Sequence, residues 1–332
     1  MNKDVLDRLK GRSTLSEMPE PEFISTGCYA LNRIITGKYN KGMPVGGILQ
    51  LKGDSSSGKT LIATTVMTSA QKEGWYVKLL DAENTFSKDF GVMLGVDPDN
   101  LLYSVPTTLE EAFNDVVSTI DGIREHDKKT PILLVIDSVA VLATDEEMGR
   151  DEIGETSNTD GARRALIFGS LLRKVNTVLK KNRATLVVIN QIRNKIDVGR
   201  YGNPETNASG GKALEFYLST DLKCISNKTS DVTKDEDKNP TGIVGRIKAV
   251  KNKLSIPYQQ CEFKVEFNKG LDPYYGLEEL LKKDGLMEIS SSGRRSVGDI
   301  GFKKNTLSEL LFSKSSSNPE LNKIREMFGI KL

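Results

Sequence analysis

The chain has 332 residues, of which 37% are hydrophobic and 28% are charged, and its formal net charge is +2. This composition is typical of a folded globular protein and excludes a collagen-like or low-complexity chain, while so small a net charge neither favours nor excludes nucleic-acid binding. A single histidine excludes a catalytic triad or a metal site built on several histidines, and three widely separated cysteines are expected to be small buried residues rather than disulfides.

The predicted elements begin with an N-terminal arm, residues 1–22, in which Val5, Leu6 and Leu9 share one face of a short helix. The proline-containing segment SEMPEPE follows, and we predict an arm that serves oligomerisation rather than a domain. The N-terminus is too polar for a secretory signal, and no apolar run reaches the roughly 20 residues that a membrane-spanning helix needs. We therefore expect a cytoplasmic protein with no membrane partner.

Residues 23–269 are predicted to form an α/β core. From residue 47 the sequence reads as a strand, a glycine-rich turn and a helix: GILQLKG, DSSSGKT and LIATTVMTSAQKEG. Three further apolar runs, WYVKLLDAE, PILLVIDSVAVL and ATLVVINQI, are separated by segments of helix length. Such alternation is typical of a doubly wound, mainly parallel sheet, whose functional residues lie where the strands end.

After residue 210 the pattern changes to shorter segments. We interpret ALEFYLSTDLKCI, GRIKAVKN and CEFKVEF as antiparallel strands that extend the same sheet. Residues 270–332 contain two helix patterns, LEELLKKDGLMEI and LNKIREMFGIKL, around a turn rich in Gly, Ser and Arg. We predict that these residues form a small C-terminal α/β domain.

The turn after the first core strand fits the phosphate-binding pattern GxxxxGK[ST]. Its backbone N–H groups and the helix N-terminus can hold phosphates, Lys59 can reach the β- and γ-phosphate oxygens, and Thr60 can bind Mg²⁺. A chance match on a Gly/Ser turn is the alternative, and the strand-to-helix context disfavours it. The expected nucleotide-binding residues are Gly53, Asp54, Ser55, Ser56, Ser57, Gly58, Lys59 and Thr60.

Two carboxylates follow neighbouring apolar runs. Asp137 ends PILLVID and is expected to hold Mg²⁺ together with Thr60. Glu83 ends WYVKLLDAE and is placed to orient or deprotonate an attacking water. Each could instead be a solvated surface residue. Together with the turn, they predict an NTPase that hydrolyses its nucleotide.

Longer stretches of the chain resemble the bacterial RecA recombinase family. They include NQIRNKIDVGRYGNPETNASGGKALEFYLS, residues 190–219, and also FISTGCYAL, LLDAEN, GVDPDNLL, VIDSVAVL, EIG and VKNK, in one order from about residue 23 to about residue 280. The resemblance implies a DNA-dependent ATPase, with ATP and Mg²⁺ as cofactors, that forms helical filaments on single-stranded DNA. It implies pairing with homologous duplex DNA in recombination and repair, and it is compatible with mediator or single-strand-binding proteins as partners. The departures described below favour a divergent, phage-encoded member.

The resemblance assigns roles around the nucleotide. Gln191 is expected to sense the γ-phosphate, because a hydrogen bond made only in the ATP state is what a switch needs. Lys251 and Lys253 are expected to reach the ATP bound by a neighbouring subunit, as an arginine finger does, and Phe216 is expected at the same interface.

Two aromatic residues, Phe90 and Tyr275, occupy positions that stack on adenine in the family. The position of an adenine-reading aspartate is held by Ser87, which puts base selectivity in question.

The resemblance also predicts two DNA-binding loops, about residues 193–209 and about residues 149–161. The second departs from the family pattern, because it reads ETSNTDGARR after EIG and lacks the expected methionine. A secondary DNA site lacks its usual basic pair, which is replaced by Ile225 and Ser226. The residues expected to contact DNA are Arg193, Lys195, Arg200, Tyr201, Arg163, Arg164, Arg246 and Lys248.

Two alternative functions use the same core. A hexameric helicase or ring ATPase would form closed rings and unwind DNA. A regulatory filament would bind ATP and DNA to dock another protein, with little pairing activity.

Overall fold

The computed structural model describes residues 20–149, 160–193, 207–208, 211–225, 232–304, 306–313 and 318–330. The predicted N-terminal arm lies almost wholly outside these ranges. The helices are α1 (Tyr29–Thr36), α2 (Lys59–Lys72), α3 (Lys88–Met93), α4 (Leu109–His126), α5 (Asp145–Met148), α6 (Asp160–Lys181), α7 (Gly211–Tyr217), α8 (Leu277–Lys283), α9 (Leu307–Phe312) and α10 (Pro319–Phe328), with a 3₁₀ turn at Pro98–Asn100.

The strands are β1 (Phe23–Ile24), β2 (Met43–Pro44), β3 (Ile48–Gly53), β4 (Tyr76–Asp81), β5 (Leu101–Ser104), β6 (Ile132–Asp137), β7 (Ala184–Arg193), β8 (Asn207–Ala208), β9 (Thr220–Ile225), β10 (Val232–Lys234), β11 (Pro240–Asn252), β12 (Gln260–Glu266), β13 (Gly270–Leu271), β14 (Glu288–Ile289), β15 (Arg295–Val297) and β16 (Ile300–Phe302). The main sheet has the order β13-β12-β11-β9-β3-β7-β6-β4-β5, with β10 beside β11 and β8 beside β7. The neighbours from β9 to β5 pair in parallel. Strands β9, β11, β12 and β13 pair antiparallel. The mainly parallel sheet with an antiparallel extension was predicted, and it is confirmed.

Helices cover both faces of this sheet. Successive strand residues point to opposite faces, so a strand buried on both sides is apolar throughout. In β6, Leu133 and Val135 belong to a cluster shared with α1, α2 and the C-terminal helices, whereas Leu134 and Ile136 belong to a cluster shared with α4, α6 and α7. The sheet is therefore doubly wound, and its strand ends are free to carry polar residues.

One segment differs from its predicted strand. Residues 211–217 form α7, and the following β9 is parallel to β3 and antiparallel only to β11. Leu214 and Leu218 are both buried in the second cluster, and a spacing of four residues places both on one helical face. The prediction of an antiparallel strand over ALEFYLSTDLKCI is therefore wrong in its first half, and wrong for the direction of β9 against the core.

The C-terminal part combines three helices with a small antiparallel sheet of β14, β15 and β16. The stretch rich in Gly, Ser and Arg thus contributes strands as well as a turn. Phe328 stacks on Tyr29, with ring centroids 4.6 Å apart, and lies 4.9 Å from the Tyr39 ring. Arg33 donates two hydrogen bonds to Asp284, and Tyr39 donates a third. These contacts attach the C-terminal part to α1 and to the segment that follows it.

All three cysteines are buried and free, as the sequence predicted. In the described ranges, no helix combines the length and the apolar character needed to cross a membrane.

Candidate functional site

The phosphate-binding turn lies between β3 and α2, at the carboxyl edge of the sheet. Gly53 pairs with Gln191 on one side and with Cys224 on the other. A Cβ at Gly53 would lie 2.5 Å from the carbonyl oxygen of Cys224, and Gly58 has a φ of +87°. Both positions therefore require glycine, which leaves the backbone of the turn open to close approach by a ligand.

Two polar side chains of this turn are buried. Ser57 is 2% exposed, and its Oγ has no hydrogen-bond partner among the described residues. Lys59 is 7% exposed, burial lowers the pKa of its ammonium group, and its Nζ donates to the carbonyl oxygen of Asp54 at 2.7 Å. A buried hydroxyl and ammonium with so few protein partners fit an anionic ligand such as a nucleotide phosphate. The neighbouring Ser55 and Ser56 are exposed on the same turn.

The predicted metal ligands are in direct contact. Thr60 Oγ1 donates to Asp137 Oδ2 at 2.7 Å. Asp137 is 9% exposed; burial, with smaller contributions from the carboxylates of Glu83 and Asp81, raises its pKa to about 6. A cation beside these carboxylates would offset the repulsion. Thr60 and Asp137 could therefore hold Mg²⁺, which prefers oxygen ligands of this kind.

Glu83 lies just after β4 and is half-buried. Its Oε1 accepts hydrogen bonds from Ser138 Oγ and from Gln191 Nε2, both at 2.8 Å. The sheet thus brings the predicted general base and the predicted phosphate sensor together beside the phosphate turn. Sequence reasoning missed Ser138; its place directly after the strand-ending Asp137 was the available signal.

The cavity beside the phosphate turn is lined by residues 56–61, Ile243 and Phe267. Tyr275 lines a different cavity, with Glu262 and residues of α8, and Phe90 lies half-buried in α3. Ser87 caps α3, since its side chain accepts a hydrogen bond from the Phe90 backbone N–H. Of the aromatic residues after β12, the structure therefore brings Phe267 to the phosphate turn rather than Tyr275. The signal in the sequence was the last residue of the CEFKVEF alternation.

Lys251, Lys253 and Phe216 lie together on the surface. Lys251 Nζ donates to the carbonyl oxygen of Glu215, and Lys253 Nζ donates to that of Phe216 at 3.0 Å. The Phe216 side chain is 76% exposed. Partial burial, followed by repulsion from Lys251 and Lys180, lowers the pKa of Lys253.

The predicted DNA-binding arginines on α6 form ion pairs within the chain. Arg163 pairs with Glu146 at 2.6 Å, and Arg164 pairs with Glu147 at 3.4 Å while donating to the carbonyl oxygen of Val139. These contacts attach the start of α6 to α5 and to the end of β6.

Three basic residues lie on one face of the sheet extension. Arg246 is exposed, and Lys248 lies with its Nζ 5.7 Å from the centroid of the Tyr258 ring. Lys223, which sequence reasoning did not single out, pairs across the strands with Lys248. Arg193 ends β7, and the predicted DNA contacts Lys195, Arg200 and Tyr201 lie outside the described residues.

Comparisons with known proteins identify the family of the chain. Residues 10–272 match the family model of the RecA N-terminal domain. The chain belongs to the RecA family. It is 36% identical to Protein RecA of a Sulfurovum species over 291 residues, which is 86% of this chain and 77% of the relative. It is 34% identical to Protein RecA of Kineococcus radiotolerans over 314 residues, which is 94% of this chain and 85% of the relative. RecA-family proteins bind ATP with Mg²⁺, bind DNA, and act in recombination and repair.

Proposed function

We propose that this chain is a DNA-dependent ATPase and homologous recombinase. With ATP and Mg²⁺ bound, it forms a helical filament on single-stranded DNA and pairs that strand with homologous duplex DNA. Membership of the RecA family and the nucleotide site support the proposal. The observation that carries it is the distance, within one chain, between the phosphate turn and the pair Lys251 and Lys253.

The strand register gives that distance. Gly53, where the phosphate turn begins, pairs with Cys224, and Leu49 pairs with Thr220. Asn252, between the two lysines, also pairs with Thr220. The lysines and the phosphate turn are therefore separated by four residues of β9, a distance of about 13 Å along the strand. The lysines lie towards the opposite edge of the sheet and cannot serve the phosphates bound by their own chain.

The lysines of a second subunit can reach phosphates that the lysines of the same chain cannot. If Lys251 and Lys253 of one subunit face the phosphate turn of the next, each ATP lies at an interface and receives two cations there. The exposed Phe216 beside them supplies apolar surface for the same contact. An interface between two different faces of the chain repeats from subunit to subunit, and where the rotation between subunits does not close a ring it gives an open helix of the kind that coats a DNA strand.

Different residues of the site bind the phosphates, hold the metal and activate the water. Lys59 and the backbone N–H groups of the turn bind the phosphates, and Mg²⁺ held by Thr60 and Asp137 would neutralise charge on them. Glu83 orients the attacking water and accepts its proton. Gln191, in reach of both Glu83 and the phosphate turn, reports the phosphate state along β7 to the loop that follows.

The basic sheet face is proposed to bind the second DNA. Lys223 and Lys248 are like charges directly opposite each other, and Arg246 lies two residues from Lys248 on the same face. Bound phosphates would relieve this repulsion. Lys223 thus supplies a cation on the same face as Ile225, which holds one of the two positions of the family's basic pair.

A complementation experiment tests the shared site. Lys59→Ala subunits lack phosphate binding, and Lys251→Ala/Lys253→Ala subunits lack the proposed donor lysines. We expect each to be inactive alone, and a mixture to recover part of the DNA-stimulated ATP hydrolysis, because intact turns then meet intact lysines. Lys128→Ala, which removes an exposed charge after α4, serves as the control and should remain active.

Two results would contradict the proposal. A mixture as inactive as its components would show that the lysines act within their own chain or not at all. Closed rings on single-stranded DNA by electron microscopy, instead of helical filaments, would favour a ring ATPase.

A further inference from the structure

Glu83 is held by one short segment of the chain. Its backbone N–H donates to the carbonyl oxygen of Asp137 at 3.3 Å, and its Oε1 accepts from the hydroxyl of the next residue, Ser138, at 2.8 Å. Residues 137–138 therefore contact both the main chain and the side chain of Glu83. No other described residue contacts the carboxylate by a hydrogen bond except Gln191.

The two donors to Oε1 differ in their freedom to move. Ser138 is fully buried at the end of β6, and the next residue, Val139, is tied to β7 by a hydrogen bond from its N–H to the carbonyl oxygen of Ile189 at 3.1 Å. The Gln191 amide is half-buried on a longer side chain and lies opposite Gly53 at the phosphate turn. A phosphate oxygen bound at that turn competes with Glu83 for this amide, whereas the Ser138 hydroxyl is fully buried and out of reach of such a ligand.

Both hydrogen bonds also fall on the same carboxylate oxygen. In the part of the chain that the structure describes, Oε2 of Glu83 has no hydrogen-bond partner. A carboxylate fixed through one oxygen presents the lone pairs of the other in a defined direction. That free oxygen is the one available to an attacking water.

From these contacts we infer that Ser138 is a positioning residue, which keeps Glu83 aimed at water while Gln191 exchanges partners between nucleotide states. The inference rests on the proposed role of Glu83 in hydrolysis. Gln191 determines when the site is active, and Ser138 keeps the base in the same place in both states. Losing Ser138 therefore misplaces Glu83 at the moment when Gln191 has left it.

The test is the Ser138→Ala variant of the full chain, assayed for single-turnover ATP hydrolysis on single-stranded DNA and for binding of a fluorescent ATP analogue. We expect the rate of hydrolysis to fall on the order of 10- to 100-fold, which is the size of loss that a misplaced reacting group causes. The dissociation constant of the analogue should change less than twofold. Ser138→Cys keeps the side-chain shape, with a slightly larger sulfur atom in place of oxygen, but offers only a weak donor, and should lose activity in the same way. Ser104→Ala is the matched control, because Ser104 donates at 2.6 Å to Asp115, a carboxylate outside the site.

A double-mutant cycle separates positioning from a general structural role. In a Glu83→Ala background, Ser138→Ala should cause no further loss, because the group on which it acts is gone. Wild-type rates for Ser138→Ala, or an equal loss in both backgrounds, would overturn the inference while leaving the role of Glu83 intact. Wild-type hydrolysis by Glu83→Ala alone would overturn both.

Discussion

Replacing Asp137 by Asn should stabilise the nucleotide-free protein while abolishing hydrolysis. The Asp137 carboxyl is 9% exposed and close to two other carboxylates, and its pKa rises from the ordinary value of 3.8 to about 6. The folded protein therefore binds this proton more tightly than the unfolded chain does. The stabilising contribution of the protonated form is complete below about pH 4, decreases between pH 4 and 6, and is lost above pH 6.

The expected magnitude follows from that shift. A change in pKa from 3.8 to about 6 corresponds to about 3 kcal/mol of lost stability at pH 7. Asn cannot ionise, yet its carbonyl oxygen can still accept the hydrogen bond from Thr60. We expect Asp137→Asn to raise the free energy of unfolding at pH 7 by up to about 3 kcal/mol, or to raise Tm by about 4 °C for a chain of this length.

Thermal denaturation of the wild type and of Asp137→Asn without nucleotide, at pH 4 and at pH 7, tests the predicted gain in stability. The variant should match the wild type at pH 4 and exceed it at pH 7, and added Mg²⁺ and ATP should stabilise only the wild type. A variant that is no more stable than the wild type at pH 7 would refute the electrostatic reasoning, as would a gain over the wild type that is equal at pH 4 and pH 7.

Three further predictions concern other contacts. Asp221→Ala should destabilise the protein by about 3–5 kcal/mol in urea denaturation, because it leaves Lys52, 2.5 Å from the carboxylate, without its ion-pair partner. The double variant Lys52→Met/Asp221→Leu should lose less stability than Asp221→Ala, and a larger loss in the double variant would contradict the prediction. Phe328→Ala should cost about 3–5 kcal/mol in the same assay, since it removes the ring that packs on Tyr29; a loss below 1 kcal/mol would argue against this packing. Phe267→Ala, which removes a ring from the lining of the cavity at the phosphate turn, should weaken ATP binding about 3- to 10-fold, and an unchanged affinity would show that bound ATP does not contact this ring.

The arrangement of Lys59, Asp137 and Glu83 at the carboxyl edge of the sheet was predictable because its signals are local. The strand, turn and helix around Lys59 follow one another in the chain, and Asp137 and Glu83 each end an apolar run, so a parallel sheet necessarily brings them to one edge. The partner of Glu83 was harder to find. Ser138 is one of many serines, and only the geometry of the folded strand ends shows that its hydroxyl reaches Glu83.

Contacts between strands that are distant in sequence depend on how the strands align in the sheet, and the sequence does not show that alignment. The pair of Lys52 and Asp221 joins strands that are 169 residues apart in sequence, and neither residue fits the pattern of a buried position. Tyr275 matches an adenine-stacking position by resemblance, and that role stays a prediction. Phe267, which the sequence did not single out, lines the cavity at the phosphate turn. Residues 211–217 alternate enough to suggest a strand, yet burial of Leu214 and Leu218 on α6 favours the helix.

The most direct test of the account is the rate of ATP hydrolysis with and without long single-stranded DNA, with electron microscopy of the same mixture in a non-hydrolysable ATP analogue. We predict strong stimulation by DNA and open helical filaments, because in the proposed mechanism each ATP receives two lysines from a neighbouring subunit. Equal rates with and without DNA, from single subunits or closed rings, would contradict it.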